Sequence, residues 1–282
     1  MVITRVRMSG PTFLVIGAQK CGTTWLEAML RQHPEVFVPA TKELHFFDKS
    51  YHYDRGLDWY EAHFSAGSEA RARGEATPNY FWTTPDEAEK RAGGRSNEQL
   101  PQRVAAHYPD VRLIVSLRNP VDRAISAYYH HIRQRRCSPS TRLTEVSDRW
   151  GIVSMGHYDV HLERWLGAFR REQLLVLIYE EDVAQNKPTT LRRLFEFIGV
   201  DAAHAPARQE RRVNRRRSDL HLRLNFYAPP LAALLDAVLP ARITQAPRWR
   251  IEVTDDERAA LAAEFTPHNA RLSQLLDRDL PW

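Results

Sequence analysis

Residues 12–16, Thr-Phe-Leu-Val-Ile, form a short apolar, partly β-branched run that stops at Gly17. A strand covered on both faces reads this way, and such strands belong to parallel sheets. A polar loop follows, and then Trp25, Leu26, Met29 and Leu30 recur at helical spacing until His33-Pro34. The opening is therefore strand, glycine-bearing loop, helix. The pattern recurs at residues 111–117, Val-Arg-Leu-Ile-Val-Ser-Leu, where Asn119 is placed as N-cap and Pro120 as first helical residue of a helix running to about Arg135. A third strand is expected at 174–178, after a helix bearing His161, Leu162, Trp165, Leu166 and Phe169. A helix over 190–198 then ends at Gly199.

Strands alternating with helices predict an α/β chain: a central, mostly parallel sheet flanked by helices, with ligands beyond the carboxyl ends of the strands. Two polar stretches interrupt the alternation. Residues 85–101 contain Gly93-Gly94 and read as a surface helix and loop; residues 137–156 follow a long helix and read as a lid on the substrate side. No internal repeat or low-complexity linker divides the chain, so one domain over residues 1–282 is expected.

Charge narrows the partners. The 282 residues carry 40 Lys+Arg against 35 Asp+Glu, a formal +5, but residues 208–217 hold six arginines and one glutamate. The other 272 residues carry 34 of each sign. A neutral body with one basic run lacks the broad positive face of a nucleic-acid binder and suits a small polyanionic ligand. Cys21 and Cys137 are too few for a disulfide framework and lack metal-ligand spacing, so both are expected as thiols. No stretch has the length of a membrane span, and the first ten residues lack an apolar signal core. A cytoplasmic protein without membrane insertion is expected.

The loop Gly17-Ala18-Gln19-Lys20-Cys21-Gly22-Thr23-Thr24 has the chemistry of an anion cradle. Glycines admit backbone N–H groups, a helix start adds its dipole, and Lys20 and the threonine hydroxyls donate. It is not a Walker A loop, because Lys20 precedes Gly22 instead of following it. The expected ligand therefore lacks a triphosphate. Further on, Lys42-Glu43-Leu44-His45-Phe46-Phe47-Asp48 places Glu43 and His45 on one side of a segment expected to be extended, with Leu44 and Phe46 opposite. Two titratable groups after an anion loop suggest acid–base work on a hydroxyl. Arg118 at a strand's carboxyl end and Ser126 in the next helix form a fork and a hydroxyl for a second phosphate. Asp122 and Arg123 are assigned to a local ion-pair network at the helix start. Two rival readings stand beside this one: a P-loop nucleotide kinase or other phosphotransferase, and a non-catalytic polyanion-binding protein. The first is disfavoured by the lysine's position and by a second strand that ends Ser116-Leu117-Arg118, with no acidic residue for magnesium.

The strings IGAQKCGTTWL, KELHFFD and LRNPVDRAISAYYHH resemble the phosphosulfate loop, catalytic segment and 3′-phosphate motif of sulfotransferases that use 3′-phosphoadenylyl sulfate (PAPS). The resemblance is nearest to the glycosaminoglycan branch, the heparan sulfate 3-O-sulfotransferases and N-deacetylase/N-sulfotransferases. It continues through EATPNYF, GHYDVHLERWLGAF, EQLLVL, FIGV and the closing EFTPHNARLSQLLDRDLPW, in order along nearly the whole chain.

The resemblance implies a P-loop-like sulfotransferase fold, PAPS as donor, adenosine 3′,5′-diphosphate (PAP) as product and no metal. It places Lys20, Gly22, Thr23 and Thr24 at the 5′-phosphosulfate, with Lys20 also catalytic and Cys21 and Trp25 among the cofactor-binding residues, and Arg118 and Ser126 at the 3′-phosphate. Glu43 becomes the general base, His45 a polar group that helps position it, and His130 a lesser acid–base group. The late basic loop, with Arg215, Arg216 and Arg217, closes over the nucleotide, so residues 205–219 are expected as a second lid. Two departures bear on the acceptor. This chain lacks the cysteine pair that eukaryotic members carry before the late loop, and Ala76 stands where glycosaminoglycan enzymes generally have lysine. A bacterial-type soluble enzyme is implied, acting on a small-molecule, glycan or glycolipid hydroxyl other than heparan.

Overall fold

The computed structural model describes residues 10–83, 96–207, 219–228 and 252–282. The basic run at 208–217, with Arg215, Arg216 and Arg217, lies outside them. The chain divides into two compact units, each discontinuous in sequence: Met1–Asn119 with Tyr158–Arg211 and Asp279–Trp282, and Pro120–His157 with Arg212–Arg278.

The first unit is built on a five-stranded sheet of β1 (Phe13–Gly17), β2 (Val36–Phe37), β3 (Ala72–Ala76), β4 (Arg112–Leu117) and β5 (Leu174–Ile178). Every pairing is parallel, in the order β2-β3-β1-β4-β5. All five residues of β1 are buried, as expected of a central strand. Helix α1 (Thr23–Leu30) and helix α2 (Leu100–His107) precede β4, and α4 (Tyr158–Leu166) and α5 (Lys187–Ile198) flank β5. Trp25, Leu26, Met29 and Leu30 from α1 join Phe13, Val15, Ile114 and Leu177 of the sheet and Leu191, Leu194, Phe195 and Ile198 of α5 in one core. Each fully buried Leu, Ile or Phe in it contributes about 1.5–3 kcal/mol.

The strand order fixes where a ligand binds. The chain leaves β1 for β3 and β2 on one side and for β4 and β5 on the other, so β1 is the topological switch point. Its carboxyl end is the loop after Gly17, and the carboxyl end of its neighbour β4 is Arg118.

The second unit contains α3 (Pro120–Arg133), α6 (Asp219–Tyr227) and the long α7 (Asp255–Leu276). Its core gathers Ala124, Ile125, Ala127, Tyr128 and Ile132 of α3 with Leu222, Leu261 and Phe265. The stretch at 137–156 contributes Cys137, Leu143, Val146 and Ile152 to the same core. It is thus anchored by apolar contacts that its polar composition hides. Arg123, assigned from sequence to an ion-pair network at the helix start, is fully buried, and its guanidinium donates to the carbonyls of Gly151 and Ile152.

Candidate active site

The site is built where β1 ends. The turn after Gly17 is closed by Cys21 N donating to Ala18 O (3.2 Å) and Ser116 Oγ donating to Cys21 O (2.7 Å), which ties the loop to β4. Gly22 then caps α1 at φ 88°, and no side chain caps the helix start. The loop thus meets the first turn of α1 at the positive end of the helix dipole. A Cβ on Gly22 would lie 3.0 Å from Tyr179 Cδ2 and 3.1 Å from Val183 Cγ1, so the ring of Tyr179 packs directly on the loop. The same ring lies under the Arg118 guanidinium, 5.1 Å from its centroid. Tyr158 adds a second tie, its hydroxyl donating to Arg118 O (2.9 Å) and contacting Cys21 Sγ (3.6 Å). Arg118 and the anion loop are therefore held against shared aromatic residues.

Sequence reading expected residues 43–48 to be extended. They form no strand, and Glu43 and His45 take left-handed backbone conformations, φ 53° and 51°. Alternating left-handed residues still send Leu44 and Phe46 into the core, 2% and 1% exposed, and keep Glu43 and His45 on the open side. Such a backbone costs on the order of 1–3 kcal/mol per residue and persists only where its surroundings over-determine it. The surroundings come from the EATPNYF segment. His45 N donates to Thr77 Oγ1 (3.4 Å) and Phe46 N to Tyr80 Oη (2.9 Å), while the Thr77 hydroxyl donates to Glu75 Oε2 (2.6 Å). Among the described residues of the first unit, the non-glycine residues at positive φ are Lys20, Glu43 and His45. These are the three residues of that unit that the sequence puts in catalytic roles.

Lys42 joins the catalytic segment to the anion loop. Its Nζ donates to Thr24 Oγ1 (3.3 Å) and lies 3.6 Å from Glu27 Oε2 and 3.9 Å from Glu43 Oε1. Glu27 is itself fixed by Arg31, at 2.8 Å. The Glu43 carboxylate thus sits one lysine side chain away from a threonine of the loop.

Glu43 Oε2 is 3.6 Å from His45 Nε2, and His45 Nδ1 is 2.8 and 3.1 Å from the two oxygens of Asp48. Burial alone would lower the His45 pKa, but hydrogen bonds to Asp48 and then Glu43, with their charges, raise it from 6.5 to about 10. The ring is an imidazolium at neutral pH, a cation beside Glu43 that has no lone pair to accept a proton. Behind it Glu75 is fully buried, and burial, opposed by the Thr77 hydrogen bond, lifts its pKa from 4.5 to about 7.

The structure brings the loop residues, Glu43, His45 and Arg118 into one unit. Cys21 is fully buried and Trp25 is 6% exposed in the core, so their side chains shape the loop from beneath. Ser126 and His130 lie half-buried on α3 of the second unit, where Arg133 Nη2 is 3.1 Å from His130 Nδ1. Lys42, Asp48, Tyr158 and Tyr179 received no role from sequence. Lys42 and Asp48 flank the catalytic motif and were within reach of it. The two tyrosines carry no local signal, because only the fold brings them to the loop.

The Sulfotransferase domain family matches residues 11–220. Heparan sulfate glucosamine 3-O-sulfotransferase 3A1 of Mus musculus is 34% identical over 198 residues, 67% of this chain and 46% of that protein. The chain thus spans about half the length of that curated relative. Heparan sulfate glucosamine 3-O-sulfotransferase 5 of Homo sapiens is 26% identical over 285 residues, 96% of this chain and 74% of its own. Among solved structures, a sulfotransferase from Alicyclobacillus acidocaldarius superposes with a TM-score of 0.69 at 28% identity, over 96% of this chain and 97% of its own. The mouse sulfotransferase SULT7A1 complexed with PAP, at 18% identity, TM-score 0.50, 95% of this chain and 88% of its own, shares the fold. The strand–loop–helix opening, the parallel sheet and these likenesses agree: this chain belongs to the sulfotransferase domain family.

Proposed function

We propose that this chain transfers the sulfuryl group of PAPS to an acceptor hydroxyl, releasing PAP. The observation that carries this reading is the Lys42 bridge, which puts the Glu43 carboxylate next to Thr24 of an anion loop at the switch point of the sheet. In the reaction the acceptor oxygen forms a bond to sulfur while the bond from sulfur to the bridging phosphate oxygen breaks. Glu43 takes the acceptor's proton, and Lys20 with the N–H groups at the start of α1 neutralises charge on the departing phosphate. Catalysis is by positioning and electrostatics, as in phosphoryl transfer, and the step itself calls for no metal. His45 does not compete as base. As an imidazolium locked by Asp48 it orients Glu43 and adds positive charge where sulfuryl oxygens would lie.

Arg118 receives the ribose 3′-phosphate by its guanidinium fork, and we assign Ser126 to the same phosphate and His130 to an auxiliary acid–base role from the sequence motif. The acceptor is a hydroxyl of a glycan, glycolipid or small molecule. The relatives named for glucosamine 3-O-sulfation favour a carbohydrate, while Ala76, buried at the end of β3, supplies no cation to an anionic chain. Both cysteines are buried thiols, which fits a cytoplasmic, reducing setting. Among the described residues no helix is long and apolar enough to cross a membrane.

Thermal shift with nucleotides tests the donor. PAP at about 100 times its Kd should stabilise the protein by about 2.7 kcal/mol, with adenosine 5′-phosphate far weaker at the same concentration. A shift with MgATP and none with PAP would favour the phosphotransferase. Tight RNA binding with no PAP shift would favour a polyanion-binding protein.

A further inference from the structure

We propose that His157, Glu264 and His268 form a site for one borderline divalent transition-metal ion, zinc as the reference case, which clasps α7 within the second unit. Glu264 and His268 stand four residues apart on α7, a spacing that puts both side chains on one helix face. His157 approaches that face from residues 107 positions earlier in the chain, its Nε2 3.0 Å from Glu264 Oε1. The His157 and His268 rings stack with centroids 4.0 Å apart and planes at 16°. One ligand atom from each of the three residues lies within 4.8 Å of the others. Four-coordinate zinc with nitrogen and oxygen donors at about 2.0–2.2 Å needs ligand atoms about 3.3 Å apart, so binding draws the three side chains together and turns the two imidazoles out of their parallel stack.

The donor set selects the ion class. Two imidazoles and one carboxylate suit Zn²⁺, Co²⁺, Ni²⁺ or Cu²⁺, whereas Mg²⁺ and Ca²⁺ prefer all-oxygen shells. The backbone beneath is fixed: Phe265, between the two α7 ligands, is fully buried and meets the His157 ring at 5.9 Å. His157 N donates to Ser154 O at 3.2 Å, which holds the segment that carries the third ligand. The ligands are half-buried or exposed, so an ion enters without unfolding, and a water completes the shell. The site belongs to the second unit and takes no part in the sulfuryl transfer proposed above. Its effect is to cross-link His157, which directly follows the 137–156 stretch, to the long helix α7.

The test is zinc titration by calorimetry on the full chain after chelator treatment and dialysis, with Co²⁺ as spectroscopic probe. The expected result is one equivalent of Zn²⁺ and intense visible bands of tetrahedral Co²⁺ that Zn²⁺ displaces. His268→Ala and His157→Ala should each weaken Zn²⁺ binding by at least about tenfold, while His204→Ala in the first unit leaves it unchanged. Zinc protection of His157 and His268 from diethylpyrocarbonate, mapped by mass spectrometry in the wild-type chain, gives a second readout that does not depend on the folding of a variant. No saturable binding overturns the proposal. So does zinc affinity unaltered in both folded histidine variants, or modification of the two histidines unaffected by zinc.

Discussion

Replacing Asp48 with asparagine removes one charge from behind His45 and keeps the side chain's shape and an acceptor oxygen. In the native chain burial opposes the imidazolium, yet the His45 pKa stands at about 10 against an ordinary 6.5. At about 1.4 kcal/mol per pH unit, the two carboxylates supply on the order of 5 kcal/mol of net preference for the charged ring. Asp48 provides the larger part, with contacts of 2.8 and 3.1 Å against 3.6 Å for Glu43. An adjacent opposite charge moves a titration by about 1–3 pH units, so Asp48→Asn should bring His45 to roughly 7–9. At pH 8.5 the native ring, with a pKa of about 10, is about 97% protonated, whereas a pKa of about 7 to 9 leaves the variant's ring only about 3% to 76% protonated. The assay is the pH dependence of the His45 ring resonances in protein labelled with ¹³C-histidine, assigned by His45→Gln. Stability gives an independent check. A pKa raised on folding stabilises fully below about 6.5 and loses that contribution as pH rises towards 10, so the native chain's advantage over Asp48→Asn should shrink across that window. A native His45 titrating near 6.5, or one that titrates identically in the variant, refutes the reasoning.

Arg118→Ala should weaken PAP far more than adenosine 5′-phosphate in calorimetry, and equal losses would remove Arg118 from the 3′-phosphate. Gly22→Ala forces a left-handed alanine against Tyr179, so it should lower stability by about 1–3 kcal/mol in denaturant titration and weaken PAP; wild-type behaviour in both would contradict the loop geometry. Glu75, fully buried with a pKa of about 7, opposes folding increasingly as pH rises from 4.5 through 7, so Glu75→Gln should gain melting temperature over the native chain at pH 8 but not at pH 4.5. An equal difference at both pH values would show that Glu75 is not held neutral by burial.

Strands β1, β4 and β5 were legible because each is an apolar run buried on both faces. Strand β3 was not. It reads Ala-Arg-Gly-Glu-Ala, its Gly74 admits the Phe13 carbonyl, which a Cβ would meet at 2.4 Å, and its Glu75 is buried for a hydrogen-bond network instead of for packing. Strand β2, two residues long, is below any periodicity. The anion loop was readable from residue types alone. The catalytic segment was readable in which side chains face together but not in its backbone, because left-handed Glu43 and His45 are imposed by Thr77 and Tyr80, more than thirty residues away. Arg123 was legible as a charged residue at a helix start but not in its burial, because the carbonyls of Gly151 and Ile152 to which its guanidinium donates come from chain that returns about thirty residues later.

The central claim is that Glu43 serves as base for sulfuryl transfer from PAPS, and single-turnover transfer of labelled sulfuryl to a panel of hydroxyl acceptors tests it most directly. The native chain should yield a product heavier by SO₃. Glu43→Ala should form it about 10²–10⁴ times more slowly while binding PAP with unchanged affinity. A Glu43→Ala chain that keeps the full rate, or a native chain that binds PAP and transfers nothing to any acceptor of the panel, would contradict the account.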